Sequence, residues 1–247
     1  MEIAVKKKHA AAYIPYLVFF PSFIALLVFF PIFSARAAEI TNRDLLFKLD
    51  KNVSQLLLVT NNCPSSFIVK ITALEKKDGK WEEVFPSVNG VIGKNGFALP
   101  EEKREGDGRT PAGIFPLKIS FGYKESIPTK MPYRQSLSDD LWVDDINALD
   151  YNRWVKEKST KALSFERMRR DDDLYKYGLV IEYNTAPVVK GYGSAIFFHV
   201  WRGKNRPTEG CVAVSEDNIV RILKWLDPQA APLIIMGAED MMEQIAR

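Results

Sequence analysis

The sequence predicts a single, mostly β domain with one long segment of few strand signals and a few short helices. The chain has 247 residues, of which 47% are hydrophobic and 12% aromatic, so it can bury a substantial core. Short apolar runs bounded by Gly, Pro, Asn and Asp recur along it, which is typical of strands. Only one stretch has clear helical spacing.

The first strands are predicted at residues 56–60 and 67–75. The second leads through Asp78-Gly79 into a third at 81–85, and an Asp-Gly pair between alternating segments favours a tight hairpin. The remaining strand candidates are residues 88–92, 114–119, 178–183, 194–201 and 233–236.

The clearest helix is predicted at residues 217–226, where apolar side chains share one face. Ser215 is the expected N-cap, acidic residues follow it, and Pro228 ends the run. Residues 159–170 are a second helix candidate, and residues 43–51 are either a linker helix or irregular. The apolar residues on the shared face are Ile219, Ile222, Leu223 and Leu226.

Two long connections separate the strand candidates. Residues 100–111 are polar and glycine-rich, and residues 123–173 have few strand signals but many aromatic residues and alternating charges. Long ordered loops in a compact β domain are commonly functional surfaces or lids. Surface loops without a function would have the same composition, so a functional and a purely structural role of these connections both stay open.

The N-terminus is predicted to be an export signal. Lys6–Lys8 precede an apolar run at 10–33, and Ser34-Ala35-Arg36-Ala37 resembles a signal peptidase site, so we expect cleavage after Ala37. An uncleaved membrane anchor is the alternative, because the apolar run is long enough to span a bilayer. The expected organisation is a signal peptide at 1–37, a lead-in at 38–54, the domain at 55–236 and a C-terminal tail at 237–247.

The positive charge of the chain belongs to this N-terminus. Residues 1–37 contain four of the 34 Lys and Arg but one of the 31 Asp and Glu, which leaves 30 of each in the remainder. A neutral domain argues against a nucleic-acid partner. Membrane contact is expected only through the N-terminal signal if it stays uncleaved.

Few residues are available for catalysis. Removal of the signal also removes His9, so His199 is the one histidine of the mature chain. The sequence has no HExxH, CxxC or GxSxG motif, and we expect no metal and no cofactor. What remains is Cys211 with His199, although a structural histidine and a buried apolar cysteine are the plain alternatives.

The pair suits nucleophilic chemistry. A strand ending at His199 and a loop returning to Cys211 would bring the two side chains together, so that imidazole accepts the thiol proton and later protonates a leaving amine. Gly210 lets the backbone approach closely and direct N–H groups at an oxyanion. We expect both thiols to be free, with a Cys63–Cys211 disulfide as the alternative.

Two segments carry a resemblance to a known family. The segment containing His199 and Cys211 reads GSAIFFHVWRGKNRPTEGCVAVSEDNIVRIL, and the upstream segment reads KREGDGRTPAGIFPLKISFGY. They resemble the L,D-transpeptidase catalytic-domain family, whose signature is a His, a loop and then Ser/Thr-His-Gly-Cys. The resemblance extends over most of residues 56–236, and the insertion at 145–183 is similar to that of a subgroup of exported bacterial members.

The resemblance implies a mostly antiparallel β-sandwich or barrel-like L,D-transpeptidase-type domain and assigns roles to several residues. It implies Cys211 as the nucleophile and His199 as the proton shuttle. It also implies that the main chain of Val200 orients the imidazole, and that the N–H groups of Gly210 and Cys211 bind the oxyanion.

Two departures from the family pattern stand near the thiol. Glu209 replaces the usual His before Gly-Cys, and Ala213 replaces the usual Arg two residues after Cys. Glu209 could disfavour the thiolate or bind an amine acceptor. The candidates for the missing cation are Arg202, Lys204 and Arg206, with solvated loop charges as the alternative. The candidate substrate-binding residues are Arg202, Arg206, Thr208 and Glu209.

The implied function is that of an exported, periplasmic or cell-envelope peptidoglycan L,D-transpeptidase. Such an enzyme forms a thioester between its cysteine and a stem peptide after meso-diaminopimelate, and transfers it to an amine. An L,D-carboxypeptidase or endopeptidase would use the same site and substrate. A non-catalytic cell-wall-binding module is a further alternative, with stacking aromatics at Tyr133, Trp142, Tyr151 and Trp154.

Overall fold

The computed structural model describes residues 46 and 48–246. The predicted signal peptide at 1–37 and most of the predicted lead-in at 38–54 lie outside the described residues. The predicted fold class is confirmed, since the protein is mostly β, with 38% strand and 12% helix, and has few short helices.

The strands are β1 Gln55–Asn61, β2 Ile68–Lys77, β3 Lys80–Val91, β4 Phe97–Ala98, β5 Thr110–Pro111, β6 Gly113–Gly122, β7 Tyr133–Gln135, β8 Asp140–Val143, β9 Trp154–Lys156, β10 Phe165–Arg167, β11 Tyr177–Ile181, β12 Phe197–Val200, β13 Val212–Val214 and β14 Leu233–Ala238. The α-helices are α1 Glu216–Trp225 and α2 Met242–Ile245, and short 3-10 helices lie at Glu157–Ser159, Pro228–Ala230 and Glu239–Met241.

The large sheet closes on itself as a barrel. Its strand order is β11-β12-β13-β3-β2-β1-β14-β6-β7, and a further pairing of β11 with β6 completes the ring. Most neighbours are antiparallel, but β1 with β14, β6 with β7 and β12 with β13 run parallel. Closure pairs strands that would otherwise be free edges. No helix within the described range is sufficiently long and apolar to span a membrane.

The β2–β3 hairpin follows the prediction at its turn but not along its second strand. Asp78 and Gly79 have φ values of 49° and 78°, as a two-residue hairpin turn requires, so this turn is confirmed. The strands predicted separately at 81–85 and 88–92 form the single strand β3, which passes through Pro86. The pairing shifts register beside Phe85, and such an irregularity accommodates a proline inside a sheet.

The prediction of a helix at residues 159–170 is wrong, and the 123–173 segment contains strands despite its few strand signals. That segment contains β7 to β10, and β8 lies between β10 and β9 in a separate three-stranded sheet. Each of these strands has only three or four residues. Such short strands carry too little alternation for sequence analysis and depend on packing against the barrel.

An aromatic cluster attaches this small sheet to the barrel. Phe197 of β12 meets Trp142 of β8 at a ring-centroid distance of 5.0 Å, and Phe121 of β6 meets Trp154 of β9 at 5.9 Å, both edge to face. Trp142 is 6% exposed and Tyr151 is 1% exposed. Trp142 and Tyr151 are therefore packing residues and are not available for the surface stacking considered above.

Helix α1 lies close to its predicted position, with Ile219, Ile222 and Leu223 buried in the core. Ser215 occupies the N-cap position, but its side chain makes no capping hydrogen bond. The residues after 236, expected to be a tail, extend β14 to Ala238 and then form α2, where Met242 is buried against the barrel.

Candidate active site

His199 and Cys211 lie on neighbouring strands of the barrel. His199 belongs to β12 and pairs with Ala213 of the parallel strand β13. Cys211 directly precedes β13, so it lies diagonally from His199 on the same face of the sheet. The chain reaches this position because residues 201–211 cross back to the same end of the barrel.

Both residues line a cavity of about 390 Å³. The cavity is strongly charged, and most of its charged side chains come from segments outside the His199–Cys211 motif. The charged side chains that line the cavity, inside and outside this motif, are Lys103, Glu105, Asp144, Glu166, Arg170, Arg202, Arg206 and Glu209. The predicted nucleophile and base therefore share one site with groups of both signs.

His199 is held as a neutral imidazole. Its Nδ1 lies 2.8 Å from the carbonyl oxygen of Val200, and because a carbonyl only accepts, Nδ1 carries the hydrogen. Nε2 is then the basic nitrogen of the ring. Burial lowers the pKa of His199 to about 4, against the opposing effect of the Val200 hydrogen bond.

Cys211 is held as a neutral thiol. Its Sγ donates to the carbonyl oxygen of Ala195 at 3.2 Å and accepts from the Phe197 N–H at 3.3 Å. Burial raises the pKa of Cys211 to about 12, the Phe197 N–H lowers it, and the Glu166 carboxylate raises it further. Within the described residues the thiol makes no hydrogen bond to His199. In the resting site the Cys211 thiol and the His199 imidazole are therefore both uncharged and are not hydrogen-bonded to each other.

The two cysteines are free, as expected. Cys63 is exposed, and Cys211 is partly buried against the aromatic cluster. The alternative of a Cys63–Cys211 disulfide is excluded by this structure.

A hydrogen-bond network shapes the loop before Cys211. The Gly210 N–H donates to Thr208 Oγ1 at 3.1 Å, and that hydroxyl donates to the Cys211 carbonyl at 2.6 Å. Gly210 has a φ of 152°, and an added Cβ would lie 3.0 Å from the Arg109 carbonyl oxygen. The N–H of Gly210, expected to face an oxyanion, already has a partner in the resting site.

Thr110 is a site residue that sequence analysis missed. It is completely buried, donates from Oγ1 to the Gly210 carbonyl at 2.7 Å, and accepts from the Gly93 N–H at 2.9 Å. The signal was present in the Thr-Pro-Ala-Gly motif, but its contact partner lies 100 residues away. Thr110 therefore connects the upstream motif to the loop that carries the thiol.

Replacing Thr110 by valine is expected to lower the free energy of unfolding by about 2–4 kcal/mol, because the buried Gly93 N–H and Gly210 carbonyl both lose a partner. The same change is expected to slow acylation of Cys211, since the loop before the thiol loses its anchor. Urea denaturation and the mass of a carbapenem adduct followed over time measure the two effects.

Thr129→Val is the matched control, because Thr129 also donates to a carbonyl, that of Leu223, and accepts from the Met131 N–H. Neither threonine lines the cavity, but the carbonyl that Thr129 holds is in α1 and not in the loop before Cys211. We expect Thr129→Val to lose stability without slowing acylation. Equal slowing by both variants would contradict a specific role of Thr110.

The two departures from the family signature have different surroundings. Glu209 is exposed and pairs with Lys94 at 2.7 Å, and the carboxylate that most raises the pKa of the thiol is that of Glu166. Ala213 is fully buried in β13, between β12 and β3.

Among the predicted cation candidates, the structure places Arg202 and Arg206 on the cavity wall and Lys204 away from it. Arg202 lies 3.5 Å from Asp172. Arg170 also lines the cavity and was missed, because it comes from the 123–173 segment. It pairs with Asp172 at 2.8 Å and with Glu166 at 3.0 Å, so these carboxylates fix its guanidinium beside the site.

Across residues 46 and 48–246, no group of three or more His, Cys, Asp and Glu side chains is arranged to hold a metal ion.

Comparison with known proteins identifies a family. The model of the YkuD family, described as the L,D-transpeptidase catalytic domain, matches residues 71–235, a range that contains Thr110, His199 and Cys211. Among solved structures, the helical cell shape determining protein Pgp2 from Campylobacter jejuni is similar, with 15% sequence identity and a TM-score of 0.38. The similarity covers 83% of this chain and 60% of Pgp2. No curated protein matches the sequence.

Proposed function

Because the chain belongs to the L,D-transpeptidase catalytic-domain family of cell-wall enzymes, we propose that it is an exported peptidoglycan L,D-transpeptidase that uses Cys211 and His199. The observation that carries the proposal is the position of both side chains on one charged cavity, with the Nδ1 of His199 on the Val200 carbonyl. This arrangement leaves the Nε2 of His199 as a basic nitrogen on the same cavity as the Cys211 thiol.

The proposed reaction begins with the neutral pair. His199 Nε2 takes the proton of the Cys211 thiol as Sγ attacks the carbonyl carbon of a stem peptide after meso-diaminopimelate. The tetrahedral intermediate collapses with cleavage of the C–N bond, and the imidazolium gives the proton to the leaving D-alanine amine. A thioester on Sγ remains. An acceptor amine then attacks the thioester and passes a proton back through His199 to the released sulfur.

The backbone is proposed to bind the oxyanion. The Cys211 N–H is the first donor, and Gly210 becomes the second if its N–H exchanges Thr208 Oγ1 for the substrate oxygen. Because His199 is buried and its pKa is low, it is a weak base in the resting site. The charges on the thiolate and the imidazolium therefore have to form together in the substrate complex, where each stabilises the other.

The charges of the cavity support a zwitterionic substrate. Glu105 accepts from Tyr151 and Ser194 at 2.5 and 2.7 Å, and Asp144 Oδ1 is buried with no hydrogen-bond partner. Neither carboxylate forms an ion pair with any side chain in the described part of the chain. The D-centre of meso-diaminopimelate carries one ammonium and one carboxylate, which suit these acids and the guanidinium groups of Arg170 and Arg206.

Incubation of the protein with purified muropeptides, followed by mass analysis, tests the function. We expect release of D-alanine together with new 3–3 cross-linked dimers. D-alanine release without dimers would replace the proposal with a carboxypeptidase, and loss of existing dimers would replace it with an endopeptidase. No reaction by folded protein, with no adduct on Cys211, would support the non-catalytic wall-binding alternative.

Export remains part of the proposal. Residues 1–37 are expected to be removed in the cell envelope, and mass spectrometry of the N-terminus distinguishes cleavage after Ala37 from an intact Met1. The proposed location is the periplasm or cell envelope, where peptidoglycan lies.

A further inference from the structure

Asn152 connects the 123–173 segment to the wall of the Cys211 cavity. It is 1% exposed and lies just before β9. Its side-chain Oδ1 accepts from the Ala195 N–H at 3.1 Å and from the Trp142 indole N–H at 2.7 Å. Its Nδ2 donates to the carbonyls of Tyr183 and Asn184, at 3.2 and 2.6 Å. All four hydrogen-bonding positions of the amide are therefore used.

The contact with Ala195 is the one that reaches the active site. Ala195 has a φ of 52°, a left-handed conformation that is strained for a residue with a Cβ, so surrounding contacts must maintain it. The carbonyl of Ala195 accepts the hydrogen of the Cys211 thiol at 3.2 Å. Asn152 thus binds the N–H of Ala195, and the carbonyl of the same residue binds the Cys211 thiol.

We propose that Asn152 is a positioning residue for the Cys211 thiol. By fixing the N–H of Ala195, it keeps the Ala195 carbonyl directed at Sγ and holds the resting thiol in a hydrogen bond to this carbonyl instead of to His199. A hydrogen bond donated by the S–H group stabilises the protonated form, so the nucleophile stays unreactive until substrate displaces the contact. The catalytic significance rests on the proposed function, but the contact itself does not.

The residue type at 152 agrees with this role. Asn152 has a φ of 57°, and asparagine tolerates the left-handed region better than most residues. An aspartate could not donate to the carbonyls of Tyr183 and Asn184. An alanine would combine loss of the amide with backbone strain, whereas glycine removes the amide and leaves the backbone relaxed.

The S–H stretching band in the infrared spectrum of full-length Cys63→Ser protein tests the proposal, because Cys211 is then the only thiol. In Asn152→Gly we expect the band to move to higher wavenumber, towards a thiol without an acceptor. Alkylation by iodoacetamide at pH 8 is expected to become about fivefold faster as the thiol pKa falls. Asn152→Ser, whose hydroxyl is too short to replace the amide at Ala195, is expected to shift the band in the same direction.

Trp142→Phe is the matched control. It removes the other donor to Asn152 Oδ1, and so weakens the same buried network without removing the contact to Ala195. We expect lower stability with an unchanged S–H band. An unchanged band in folded Asn152→Gly or Asn152→Ser would overturn the proposal, as would an equal shift in Trp142→Phe. Carbapenem acylation and muropeptide turnover are measured separately, so an inactive protein would count against the proposed function and not against this contact.

Discussion

Replacing Cys211 by serine is expected to reduce muropeptide turnover by about a thousandfold or more, because a serine hydroxyl is a far weaker nucleophile at the same position. The change keeps the local hydrogen bonds available, since the hydroxyl can still donate to the Ala195 carbonyl and accept from the Phe197 N–H. We expect the variant to fold with little change in stability. Turnover is followed by mass analysis of muropeptides, and covalent trapping by the adduct formed with a carbapenem.

Cys63→Ser is the control for this experiment. Cys63 is exposed, and its thiol contacts Ser65 in a turn that does not line the cavity. We expect full activity and one carbapenem adduct in this variant, and no adduct in Cys211→Ser. Normal turnover by Cys211→Ser would refute the thioester mechanism.

The parts of the fold that follow local rules could be predicted from sequence. The Asp78-Gly79 turn depends on two residues that accept positive φ, and α1 depends on apolar spacing within one segment. The sheet of β8, β9 and β10 could not be predicted, because each strand is too short to show alternation. Its stability comes from contacts such as Trp142 against Phe197, which join distant parts of the chain.

The same distinction applies to the candidate site. His199 and Cys211 could be proposed because the sequence offers so few alternatives and because their motif is contiguous. Thr110, Arg170 and Asn152 could not be proposed, since each acts through a tertiary contact. The sequence also suggests a direct thiol–imidazole contact. In the structure burial keeps both groups neutral, and the thiol donates its hydrogen bond to the Ala195 carbonyl instead.

Replacing His199 by glutamine is expected to slow acylation of Cys211 by about a hundredfold or more, because the cavity loses its proton acceptor. The variant is also expected to change the pH dependence of stability. The pKa of His199 is about 4 in the folded protein and about 6.5 in an unfolded chain. The unfolded state therefore binds more protons between these values, and acidification from pH 6.5 to pH 4 removes about 3 kcal/mol of stability in wild type.

Urea denaturation from pH 4 to pH 7 measures this second effect. Above pH 6.5 the imidazole is neutral in both states, so wild type retains the full contribution, and His199→Gln should lack this part of the pH dependence. Cys63→Ser is the control, because it changes an exposed residue away from the cavity and leaves His199 in place. We expect Cys63→Ser to retain the wild-type slope and acylation rate. An unchanged slope in His199→Gln would mean that burial does not lower the pKa of His199 in the folded protein.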